Sequence, residues 1–197
     1  MKQFLFLLIV LNINLSLCDG KNLRDSVIIK TPIYEVCYSE KLEQPLWIKY
    51  TVQCTSGTIS RLGLDFYTCD SIKTSDDEDY ISNIYDKGHL APASDFNCTK
   101  EMLHQTFSYL NCALQNRYLN RGLWRVLEEY ERELAKSGKV TVLIKVKFTK
   151  DSIKLPTGST VPDGFTKIIY LGKGKKQLRY YFPNITPTRK KFSDYKI

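Results

Sequence analysis

Apolar positions along the chain change period several times, and each change marks an element. From Ile33 to Tyr38 and from Trp47 to Gln53, β-branched and aromatic residues crowd into short runs separated by the polar stretch Ser39 to Pro45. That pattern predicts a pair of strands joined by a loop. Leu62 to Thr68 predicts a short strand or extended segment, and the acidic stretch Asp70 to Asn83 a loop. Lys100 to Tyr109 reads as a short helix. Between Arg121 and Lys136, residues Leu123, Trp124, Leu127, Tyr130 and Leu134 recur at the helical period and define one buried stripe. Asn120 stands where an N-cap is needed, and Ser137-Gly138 ends the helix. Val140 to Phe148 is a central strand. Phe165 to Leu171 and Leu178 to Phe182 are two more, turning at Gly172-Lys173-Gly174. Strands, then helices, then strands again predict an α+β fold with a largely antiparallel central sheet and flanking helices.

The start of the chain belongs to a different class of segment. A short positive start at Lys2, an apolar run from Phe4 to Leu17 and a small-residue site at Ser16-Leu17-Cys18 read as a secretory signal peptide over residues 1–18. The run is short for a span and is interrupted by Asn12 and Asn14. Residues 19–197 then form a single secreted, extracellular domain, with no later segment apolar enough to cross a bilayer. Cleavage leaves Cys37, Cys54, Cys69, Cys98 and Cys112, an odd set that favours disulfides in an oxidising compartment. The sequence leaves connectivity open, with at least one thiol unpaired or paired between molecules; the expected pairs are Cys37 with Cys54 and Cys69 with Cys98, with Cys112 buried and free. No CxxC pair or histidine at ligand spacing supports zinc. Two sequons make Asn184 and Asn97 glycosylation candidates; the alternative for Asn97 is a helix N-cap.

The formal net charge of +8 favours a polyanion as partner. The acidic run Asp76 to Asp79 lacks the alternating spacing of a calcium loop and reads as a solvated loop. One of only two histidines, His89, sits in the run Tyr85 to Phe96, whose Gly, Pro and acidic residues suggest a structured loop. A histidine so held can act as general base, with a reference pKa of about 6.5. Asn120 offers an amide oxygen to a divalent cation. Glu128 follows about 80° round the helix, and Arg132 one turn further can bind a phosphate oxygen. This set suggests a metal-assisted phosphodiesterase. Spacing alone is equally met by a plain cap at Asn120 and an exposed ion pair between Glu128 and Arg132.

Asp86-Lys87-Gly88-His89-Leu90-Ala91-Pro92-Ala93 resembles the Asp-Arg-Gly-His signature of the DNA/RNA non-specific endonucleases, the ββα-metal nucleases. Thr106-Phe107, Asn111, Gln115, Asn120, Trp124, Leu127-Glu128 and Tyr130 continue that family's order without a gap. The resemblance implies a ββα-metal active-site motif, with His89 as general base and Asn120 as the only direct protein ligand of a hydrated Mg²⁺, for which Mn²⁺ can substitute. It implies that Glu128 holds the metal through water and that Arg132 and Lys87 contact substrate. It further implies that Asp86 and Gly88 brace the turn carrying His89, and that Asn111 and Gln115 order the loop before Asn120. The substrates would be DNA and RNA, cut to 5′-phosphorylated fragments. Lys87 stands where the family has Arg, and Leu110 and Leu114 replace a Ser and a Pro. The competing expectation is a catalytically retired nuclease fold that binds nucleic acid or another polyanion. Oligomeric state is left open by the sequence.

Overall fold

The computed structural model describes residues 23–172 and 176–197. The segment read as a signal peptide lies outside the described residues, as do Lys173 and Gly174 of the expected turn.

Among the described residues, eight strands form two sheets. Val27–Lys30 (β1), Tyr34–Ser39 (β2), Gln44–Thr51 (β3), Val140–Lys147 (β6), Gly164–Leu171 (β7) and Lys176–Pro183 (β8) make an antiparallel sheet in the order β1-β2-β3-β6-β7-β8. Alternate residues of β6, from Val140 through Val142 and Ile144 to Val146, are buried, as a sheet packed on one face requires. The helix that packs there follows from the apolar stripe. Trp124 and Leu127 are fully buried, and the Trp124 ring lies 5.4 Å from Phe165 and 5.8 Å from Phe182. Leu123, Tyr130 and Leu134 pack at the margin of the same core. The expected α+β class and antiparallel sheet are therefore present.

The second sheet is the main departure from the sequence reading. Tyr85–His89 (β4) pairs antiparallel with Cys112–Asn116 (β5), from Tyr85 opposite Asn116 to His89 opposite Cys112. The first part of the run read as a loop, Tyr85 to His89, is thus a strand, while Leu90 to Phe96 stays outside any strand. Its glycine serves packing: a Cβ on Gly88 would meet Gln115 Oε1 at 2.5 Å and Gln115 Cβ at 2.6 Å. The β4–β5 pair is riveted to the large sheet by side-chain amides. Gln44 Oε1 accepts from Leu114 N, while Asn184 accepts from Asn116 N and donates to the carbonyls of Leu114 and Pro162.

That use of Asn184 corrects the glycan expectation. The residue is buried and its amide is engaged on both sides, so a glycan there is incompatible with this packing. Asn97 likewise donates Nδ2 to the Gly57 carbonyl, and Thr99 rather than Asn97 caps Lys100–Gln105 (α1). The acidic run is exposed at Asp76, Asp77 and Glu78, as a solvated loop requires, but it is also ordered. Asp76 and Asp79 form a capping box around a short 3-10 turn, and buried Asp79 accepts from the Thr157 hydroxyl. Leu62 and Gly63 form a turn, and Leu64 to Thr68 follows with only a single bridge, from Tyr67 to Ser108, so the expected strand does not form.

The disulfide also differs from expectation: Cys54 pairs with Cys98. The N–H groups of Gln53 and Cys54 donate to the Asp95 carbonyl, so the chain leaving β3 runs beside residues 95–98. Cys37 is buried in β2 and Cys69 half-buried, both as thiols; Cys112 is buried and free, as expected.

Candidate active site

β4, β5 and the helical segment that follows form a β-β-α unit, and the candidate residues lie along it. Asn116 ends β5, and its side-chain oxygen accepts from the N–H groups of Tyr118 and Leu119, capping Arg117–Leu119 (α2). The cap therefore falls four residues before Asn120, the expected one. Asn120 begins a wide π-type turn to Trp124, broken by Gly122 at φ −102° and ψ −112°, before Arg125–Ala135 (α3). Such turns widen the backbone locally and occur often at functional sites.

Relieved of capping, the Asn120 side chain binds Asp86. Its Nδ2 donates to Asp86 Oδ2 at 3.0 Å, and Arg121 holds the same carboxylate through Nε and Nη2 at 2.8 and 2.6 Å. Burial works to raise the Asp86 pKa, but the hydrogen bonds from Arg121 and Asn120 outweigh it and hold the group ionised. A carboxylate only accepts, so the amide nitrogen faces Asp86 and the amide oxygen faces away. Asp86 thus aims Asn120 rather than bracing the turn at His89. That turn is held by Asn111, whose side chain accepts from Ala91 N and donates to the carbonyls of Ala91 and Thr106. Gln115, fully buried, fills the space beside Gly88 and does not reach the loop before Asn120.

His89 ends β4 between two rings, with centroids 4.8 Å from Phe66 and 4.9 Å from Phe107. Burial pushes its pKa down to about 3, and the positive charge of Arg61 adds to the shift. The imidazole is thus neutral over a far wider range than the reference value implies. Glu128 lies on α3 above a buried charge cluster. Burial raises its carboxyl to about 8; Lys167 opposes the rise, Glu131 and Asp95 reinforce it, and Arg132 opposes it. Arg132 pairs not with Glu128 but with fully buried Asp95, through Nη1 at 2.8 Å.

His89, Asn120, Glu128 and Arg132 all line one cleft of about 1140 Å³, with the loop from Ser60 to Phe66 forming the opposite wall. Lys87 reaches it too, but its ammonium is held by Asp77 and, at 3.4 Å, by Asp65, and lies 5.5 Å from the centres of the Phe66 and Tyr109 rings. Its place is that of a fastener for the cleft wall, not the free phosphate contact expected. Sequence reasoning missed Asp95 and Arg61, and it missed the pairing of Lys167, which matches the family's late lysine strand, with buried Glu131 at 2.8 Å. A lysine amid the apolar run Phe165 to Leu171 was the one signal available.

Among the described residues no three His, Cys, Asp or Glu side chains cluster as a metal cage. A hydrated Mg²⁺ needs none, since it keeps most of its waters and takes one or two protein oxygens. The aimed amide oxygen of Asn120 and the Glu128 carboxyl, whose charge burial disfavours, fit such an ion.

An antiparallel α+β body carrying this β-β-α cleft is the architecture of a nuclease fold. A chain in the crystal structure of an EndoG/EndoGI complex superposes with a TM-score of 0.75, covering 86% of this chain and 79% of that one at 23% identity, a likeness of fold. The model of the DNA/RNA non-specific endonuclease family matches residues 19–197, and the chain belongs to that family. Mitochondrial endonuclease G of Bos taurus is 29% identical over 109 residues, 53% of this chain and 36% of that protein. Mitochondrial nuclease EXOG of Danio rerio is 32% identical over 102 residues, 49% and 30% respectively. A salivary endonuclease of Lutzomyia longipalpis is 41% identical over 54 residues, 27% and 13%. These matches span about a third or less of the relatives' own length.

Proposed function

We propose that this protein is a secreted, Mg²⁺-dependent endonuclease that hydrolyses DNA and RNA without sequence preference, leaving 5′-phosphorylated products. The observation that carries the reading is the Asp86-aimed amide of Asn120 in one cleft with neutral His89 and with Glu128. Asn120 would bind the cation directly and Glu128 through water; Mn²⁺ would substitute. When bound, the ion would supply electrostatic stabilisation to the charge developing at the phosphoryl group.

The rest is done by the chain. His89 takes a proton from water as the water oxygen bonds to phosphorus and the bond to the 3′ oxygen breaks. The departing oxygen is reprotonated from solvent. Arg132, steadied by Asp95 through one nitrogen, offers its remaining donors to a phosphate oxygen. No element of the cleft resembles a base-reading helix, which supports backbone recognition. Secretion is supported by the residue 1–18 segment and agrees with a disulfide between Cys54 and Cys98.

Plasmid nicking with purified protein tests the proposal. Cleavage should require Mg²⁺, stop in EDTA, and fall by roughly 10²–10⁴ in both His89→Ala and Asn120→Ala without loss of folding. Nicking that persists in excess chelator overturns it.

A further inference from the structure

The wall of the cleft facing Asn120 and Glu128 is a loop fastened at both ends and bare at its tip. At one end are the Cys54–Cys98 disulfide and the pairing of Ile59 N with the Asn97 carbonyl. Asn97 Nδ2 binds the Gly57 carbonyl, so closely that a Cβ on Gly57 would meet Asn97 Oδ1 at 2.0 Å. At the other end, Tyr67 N donates to the Phe107 carbonyl and Tyr109 N to the Tyr67 carbonyl. Between these anchors Ile59, Leu64 and Phe66 dock into a small apolar cluster with Ala93, Leu103 and Phe107.

Leu62 alone of the loop's large apolar residues is turned outward, at 92% exposure. The turn that displays it is tight. Leu64 N donates to the Arg61 carbonyl at 3.1 Å, Leu62 N to Ser60 Oγ at 3.1 Å, and Gly63 takes φ +83°, which a side chain would resist. Arg61 stands beside Leu62, lines the same cleft, and makes no ion pair among the described residues. A lone exposed leucine is ordinary. One held by a fastened turn at the mouth of a cleft, next to a cation without a counter-charge, is placed to meet a ligand with both an apolar face and negative charge.

We propose that Arg61 and Leu62 form a wedge that engages duplex nucleic acid beside the scissile phosphate, Leu62 entering at a base step and Arg61 binding the adjacent backbone. This rests on the nucleic-acid reading of the cleft and adds a structural preference to it. Apolar side chains inserted at base steps partly unstack and bend a duplex. Bending delivers the phosphate to a recessed site that a flexible single strand reaches without help. The wedge therefore serves duplex cleavage and not cleavage in general.

The test uses the full mature chain as wild type, Leu62→Ala and Arg61→Ala. Each is mixed in EDTA with a duplex carrying 2-aminopurine, whose fluorescence rises on unstacking. With Mg²⁺, kcat/KM is then measured on a duplex and on a single strand of the same sequence. Wild type should raise the fluorescence and Leu62→Ala should not. Leu62→Ala should lower duplex cleavage ~5–10-fold and single-strand cleavage less than ~2-fold, the scale of one lost base-step contact. Arg61→Ala should weaken duplex binding and flatten its salt dependence by about one phosphate contact. No fluorescence change with wild type, or equal effects of Leu62→Ala on both substrates, overturns the wedge. So does loss of vesicle binding by Leu62→Ala with duplex behaviour unchanged, which would make the tip a membrane contact. A wild type that cleaves neither substrate sinks the nuclease reading instead, and the fluorescence arm still decides the wedge.

Discussion

Asp86 Oδ2 accepts a 3.0 Å hydrogen bond from Asn120 Nδ2 across 34 residues of sequence, and that contact determines which end of the amide faces the cleft. Asp86→Asn can present either amide end to Asn120 and so loses the orientation. Mutating a residue that orients a metal ligand typically costs ~10–100-fold in metal affinity. The Mg²⁺ concentration for half-maximal cleavage should rise by that factor in Asp86→Asn, with kcat at saturating Mg²⁺ nearly kept. An unchanged Mg²⁺ requirement would mean that Asp86 serves only Arg121.

The pH dependence has two parts of opposite sign. The His89 pKa is depressed to about 3, so the base is already unprotonated at mildly acid pH and sets no limb near 6.5. The Glu128 pKa is raised to about 8, so in metal-free protein it keeps its proton below that pH. Cation binding must displace that proton, and apparent Mg²⁺ affinity should rise ~10-fold per pH unit up to about pH 8, then level. Metal titrations at pH 6, 7 and 8 measure this. Glu128→Gln should weaken binding and remove the slope; a slope that survives in it assigns the proton to another group.

The same shifts bear on stability. Without metal, ionising Glu128 costs the folded state progressively more as pH climbs from its unfolded value of about 4.5 towards 8. His89 acts oppositely, because the unfolded chain takes up its proton as pH falls through about 6.5 while the folded chain does not until about 3. Added Mg²⁺ should therefore raise Tm more at pH 8 than at pH 6, which calorimetry can read directly.

Lys167 and Glu131 are both fully buried at 2.8 Å, with Lys167 Nζ 4.1 Å from the Trp124 ring centre and Glu131 accepting from the Tyr50 hydroxyl at 2.9 Å. Lys167→Met leaves a carboxylate uncompensated in the core and should destabilise by ~3–5 kcal/mol in denaturant unfolding. Adding Glu131→Gln should recover most of that loss. A double variant no better than the single would show that packing, not charge, sets the cost.

Peptide mapping without reduction should link Cys54 to Cys98 and find Cys37, Cys69 and Cys112 as thiols. Reduction, or Cys54→Ser with Cys98→Ser, opens a loop of 44 residues' separation and should cost ~2–4 kcal/mol. Recovery of a Cys37–Cys54 peptide from folded protein would contradict the fold near β3.

Local patterns announced much of this molecule. The periods of Val140 to Phe148 and of Leu123 to Leu134 needed only their neighbours to read, because burial on one face imposes them directly on the sequence. The stretch around His89 and the order of residues from Thr106 to Tyr130 likewise carried the family resemblance without any structure. Other features depend on pairing between distant segments, which no local period encodes. Tyr85 to His89 became a strand because β5 lies beside it and Gln115 fills the space over Gly88. Asn116 took the cap and so freed Asn120; Asp95 took Arg132; Asn184 became a rivet; Cys54 met Cys98 because the chain leaving β3 bonds to the Asp95 carbonyl. Sequence alone set which residue types were available for chemistry. The tertiary structure decided which were already bound to a partner and which were left facing the cleft, because hydrogen bonds and ion pairs form with whatever the fold brings within about 3 Å.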